Sequence, residues 1–195
     1  MNRGDHPLGQ EALFEQLKSA RRPNRRAAAR RLGELEEQPT AQALAYLVLE
    51  APTLSLSQTA AEQLARLDAR CAKACLLQDA VYKIPHWAAN EQLPKELAGS
   101  LGYHQGSAEA RVDNVIIALE GALEPAIVWA AARALLRRKD ELIRRLTIRL
   151  LGGLRVPQAI PSLRIVRAEG GPLHSEAANA LDQIMDTQPL PSRKL

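Results

Sequence analysis

The strongest constraint on how this chain can fold is that it repeats itself with a period near 30 residues. Asn24-Arg-Arg-Ala-Ala-Ala-Arg-Arg-Leu-Gly-Glu-Leu35 sets a template. Leu56–Leu67 matches it 32 residues later, and Ile143–Leu154 and Leu173–Ile184 match it again, 30 residues apart. Small residues stand at its fifth and sixth places (Ala28, Ala29; Ala60, Ala61; Ala177, Ala178), where a neighbouring helix can come close. The copy at 143 departs there, with Thr147 and Ile148. Leu32, Leu64, Leu151 and Leu181 hold the ninth place, on the face expected to be buried. One helical hairpin cannot bury its apolar stripe alone, but stacked neighbours can. The period therefore predicts an all-α chain, an α-solenoid of about six short helical hairpins.

Apolar spacing is helical wherever it can be read. A helix over Glu11–Ala20 breaks at Arg-Arg-Pro-Asn, and Asn24 is a cap for a second helix running to about Glu37. Thr40 caps the next, which Ala-Pro-Thr at 51–53 ends. Then come Leu54–Ala69 and Cys71–Tyr82, with a turn expected at Ile84-Pro85. Further helices are expected at 107–121, 125–138, 141–154, 158–168 and 173–186. Residues 10–186 read as one domain and 1–9 and 187–195 as flexible tails, with the pairing between 71 and 121 left open.

Composition agrees with a helical reading. Of 195 residues, 46% are hydrophobic but only 3% aromatic, so the apolar content is aliphatic and suits helices better than sheets. No apolar run approaches the roughly 18–20 residues of a membrane span. Met1–Gln10 lacks the apolar stretch of a signal peptide, and two cysteines without such a signal suggest reduced thiols and a cytoplasmic location. The net charge is only +4, with a pI near 9.3, but it is unevenly spread. Lys18–Arg31 holds seven basic residues and no acid, and Arg133–Arg149 holds seven against Asp140 and Glu141. Two basic stretches could face an acidic partner, or could simply be solvated helix faces.

The Val-Arg-x-x-Ala-x-x-Ala-Leu-Gly pattern resembles HEAT-type repeats, in the short form found in phycobilisome-lyase-like proteins. Val156-Pro-Gln-Ala-Ile-Pro-Ser-Leu163, a Gly-Gly turn and 173–184 form the closest single match. The resemblance covers 10–69 and 125–186, and is degraded between 71 and 121 around Pro85 and Pro94. It implies second helices lining a concave surface. It also implies a possible biliprotein or bilin partner, as for bilin lyase subunits. Such repeats specify fold far better than activity.

Chemistry is sparse. His6, His86, His104 and His174 have no metal-ligand spacing, and no phosphate-cradling or nucleophile motif occurs. Cys71 and Cys75 lie four apart on one helix face, where packing is the simpler role than metal or redox chemistry. No metal, cofactor or catalytic residue is therefore expected. Arginine fills the second, third and seventh template places at Arg25, Arg26 and Arg30 and again at Arg144, Arg145 and Arg149. The resemblance implies that Arg25 and Arg144 form an inter-repeat ladder with carboxylates. Arg26, Arg30, Arg145 and Arg149 fit equally a ladder or the recognition of an acidic partner. Trp129 fits core packing, whereas Trp87, beside His86 at a proline-marked break, could be an exposed anchor. The expected function is a non-enzymatic adaptor for an acidic protein surface, with a bilin lyase-like role second. Nucleic-acid binding ranks third, because aromatic poverty argues against a base-reading pocket.

Overall fold

The computed structural model describes residues 39–51, 53–94, 96–97 and 107–186, with positions 12, 15, 16, 18, 21 and 24. Among the described residues there is no strand, and the chain is all-α. Eight helices have their bounds there: α1 (Pro39–Glu50), α2 (Leu54–Arg66), α3 (Arg70–Glu91) and α4 (Ser107–Leu119), followed by α5 (Pro125–Ala132), α6 (Glu141–Gly153), α7 (Ile160–Ala168) and α8 (His174–Met185). Short 3-10 turns at Leu135–Arg137 and Pro157–Ala159 lead into α6 and α7. No helix among the described residues is long and apolar enough to cross a membrane. The expected tails, and the first template copy with Arg25, Arg26 and Arg30, lie outside the described residues.

Local chemistry sets the helix ends. Thr53 Oγ1 accepts the Leu56 N–H at 3.3 Å to start α2, and Asp140 Oδ1 accepts the Ile143 N–H at 3.0 Å to start α6. Pro125 opens α5 where a missing N–H costs nothing. At the end of α6, Arg155 takes the left-handed conformation (φ 52°), so that Val156 N–H reaches Leu151 O and Arg155 N–H reaches Gly152 O.

The helices pack in two rows. One is α2 on α4, α4 on α6 and α6 on α8; the other is α1 on α3 and α3 on α5, with α5 against the 3-10 turn that precedes α7. Within the template, the ninth-place Leu64, Leu151 and Leu181 are all buried, as are Ala60, Thr147 and Ala177 at the fifth. Thr147 donates its hydroxyl proton to Ile143 O at 2.7 Å, so the polar substitution leaves nothing unsatisfied. Lys18, which precedes α1, reaches across this serial order, with its Nζ 2.8 Å from Glu124 Oε2 at the start of α5.

The middle stretch corrects one expectation and fills in a pairing that the sequence left open. There is no turn at Ile84-Pro85, because α3 continues through the proline to Glu91. An interior proline costs a helix about 3 kcal/mol, but here Ile84 just before it and Trp87 and Ala88 beyond it are buried and hold the helix on course. A 22-residue α3 pairs with α4 across this span. The described residues then hold four hairpins, α1/α2, α3/α4, α5/α6 and α7/α8, against the six expected for the whole chain.

Polar contacts tie one hairpin to the next. Arg111 on α4 donates to Leu49 O (2.9 Å) and Ala51 O (3.4 Å) at the end of α1. Lys73 on α3 donates to Ala65 O (3.1 Å) and Leu67 O (2.8 Å) at the end of α2. Buried Asn114 donates to Ser57 Oγ (2.8 Å), which donates on to Val48 O (2.7 Å). Helices α6 and α8 approach closely at Gly152, where a Cβ would stand 2.7 Å from Ala180 Cβ and 2.8 Å from its Cα.

Two predictions follow from this packing. Gly152→Ala overpacks the α6–α8 seam and is expected to lower the unfolding free energy by about 1–3 kcal/mol. Gly171→Ala, with open space around it, is expected to stay within about 0.5 kcal/mol of the parent in the same urea titration. Burial pushes the Lys73 ammonium below the ordinary lysine value of 10.5, with Asp68 opposing. Between the folded-state pKa and 10.5 the unfolded chain binds more protons, so stability rises with pH there. Urea midpoints measured upward from about pH 8 are expected to move in favour of the parent over Lys73→Met.

Candidate functional site

Of the arginines singled out by their template places, the three described ones, Arg144, Arg145 and Arg149, lie along α6, and each is met by a carboxylate. Arg144 Nη2 lies 2.9 Å from Glu169 Oε2, in the turn after α7. Arg145 contacts Glu141 one turn earlier (3.2 Å) and lies 3.9 Å from Glu109 on α4. Arg149 grips Asp113 of α4 through two bonds, Nε to Oδ1 at 2.6 Å and Nη2 to Oδ2 at 2.8 Å. Those bonds hold its guanidinium above the ordinary arginine range, with Glu109 and Glu176 adding to the effect. A crevice of about 270 Å³ beside it is lined by Asp113, Glu176 and Arg149, so the charge there is already countered. For Arg145 and Arg149 the geometry is that of a ladder between neighbouring helices.

The other row carries a larger recess. A groove of about 710 Å³ runs between α3 and the segment formed by α5 and its following 3-10 turn. Gln78, Val81, Tyr82, Pro85 and His86 form one wall, at the spacing of a single helix face. Ala131, Ala134, Leu135 and Arg138 form the other, with the same spacing. The uninterrupted α3 is what makes the first wall continuous. Lys83 also lines the groove, and its Nζ pairs with Glu50 on α1. Arg138 is exposed and forms no ion pair with the described residues. Among the described residues, no carboxylate lines this groove.

His86 and Trp87 part company. His86 is exposed on the groove wall, whereas Trp87, one residue on and about 100° around the helix, is 5% exposed and belongs to the core. An exposed Trp87 anchor is therefore not what the structure holds. The exposed aromatic on this wall is Tyr82, 60% accessible. Trp129 packs half-buried against the core, as expected of it. Cys71 is buried and Cys75 partly so, and neither is in a disulfide. Among the described residues no group of three or more His, Cys, Asp or Glu side chains could hold a metal ion.

Sequence reasoning missed Gln78, Val81, Tyr82, Lys83 and Arg138. The signal was present in the helical spacing of 78, 81, 82, 85 and 86, but a turn placed at Pro85 cut that face in two. No protein-family model matches the chain, and neither does any curated protein or solved structure with which it was compared.

The ladder is testable. A double-mutant cycle of Arg149→Ala and Asp113→Ala, read by urea unfolding, is expected to give a coupling of about 0.5–1 kcal/mol after solvent screening. That coupling should shrink in high salt. A coupling of zero would mean that the pair adds nothing to cohesion between the hairpins.

Proposed function

We propose that the chain is a non-enzymatic scaffold, a short α-solenoid of HEAT-like hairpins that binds an acidic protein partner in the cytoplasm. The two rows of sequentially packed helices support the solenoid part of this reading. Arginines on the second-helix row are engaged by Glu169, Glu141, Glu109 and Asp113, so they serve cohesion between hairpins. The binding role is carried by one observation: an amphipathic groove whose charged lining, among the described residues, is cationic and holds no carboxylate. Its size suits a few partner side chains, and exposed Tyr and Arg are among the residue types enriched where binding energy concentrates.

The test begins with affinity capture of the tagged full chain from its native host, followed by reconstitution with the purified candidate. A single stoichiometric protein that rebinds the purified chain is the expected result. An absorbing pigment on the captured complex would favour the bilin-linked reading instead. Nucleic acid as the sole captured species, released steeply by salt, would overturn the scaffold.

A further inference from the structure

The groove between α3 and α5 contains more than charge. Its α3 wall sets Val81 and Pro85 beside the exposed side chains of Tyr82 and His86, so apolar and polar surface alternate along one helix face. Among the described residues that line it there is no carboxylate.

The opposite wall adds a side-chain preference. Arg138 is an exposed guanidinium with no ion pair among the described residues, and a guanidinium binds a carboxylate in a forked geometry. Ala131 and Leu135 beside it offer apolar contact, and exposed Tyr82 stands across from them. Extending the scaffold reading above, we propose that this groove takes an acidic peptide segment of the partner, with a carboxylate on Arg138 and apolar contact along Val81, Ala131 and Leu135.

The probe is an array of acidic 12-residue peptides of varied sequence, with matched arrays in which every Asp and Glu is Asn or Gln, read by fluorescence polarisation against the full chain. The acidic set is expected to bind and its amide counterpart to bind at least tenfold more weakly. Arg138→Glu should weaken the best acidic peptide tenfold or more, while Arg164→Glu, the same charge change on exposed α7, should leave it within twofold. Equal binding of acidic and amide peptides overturns the inference. So do equal losses from Arg138→Glu and Arg164→Glu, which would mean diffuse attraction. If the captured partner still binds the Arg138→Glu chain at full strength, the groove assignment fails and the scaffold stands. If no protein partner is reconstituted at all, the scaffold itself fails.

Discussion

The assembly of this chain turns on cations that reach from one hairpin to the bare carbonyls at the end of another hairpin's helix. The last carbonyls of any helix lack intrahelical donors and must find partners when they are enclosed. Arg111 serves Leu49 and Ala51, and Lys73 serves Ala65 and Leu67, so the first hairpin is closed off only when the second is in place. Negative charge density at a helix C-terminus makes a basic side chain the fitting cap. Lys73 shows the tension in the device, since it is 4% exposed and burial works against the charge that makes it useful. The buried Ser57–Asn114 pair joins the same two hairpins and gives that seam a register that aliphatic packing alone would not impose.

Arginine does different work in different places. On α6 it meets carboxylates of α4 and of the turn after α7, joining neighbours in the second-helix row and across to the first. After the 3-10 turn that follows α5, Arg138 has no ion pair among the described residues. The difference lies not in arginine but in which helix stands opposite. Facing α4, Arg149 finds Asp113; facing α3, Arg138 lines a groove with Gln78, Tyr82 and His86.

That distinction explains what could be read from the residues. The all-helical class, the buried ninth-place leucines and the helix boundary at 51–54 were legible because each depends on local spacing. The pairing of Arg144 was legible too, through its place in a repeat. The groove was not, since it needs two facts that spacing alone does not supply. The first is that packing of Ile84, Trp87 and Ala88 carries α3 past a proline that local propensity reads as a break. The second is which helix neighbours α5, a long-range contact with no trace in either segment. Trp87 failed for the same reason: beside a turn it would be free, but inside a helix its azimuth turns it to the core.

The length of α3 has a consequence for the uniqueness of the fold. A stack of identical hairpins can slip by one unit and lose little, because each surface meets a surface like its own. Here α3 spans 22 residues against 12 in α1 and 8 in α5, roughly 15–20 Å more helix at 1.5 Å per residue. Any slipped arrangement would leave its final turns, with Ile84, Trp87 and Ala88, uncovered in water. The irregular hairpin therefore acts as a key among near-equivalent units, admitting one alignment of the array and penalising every other.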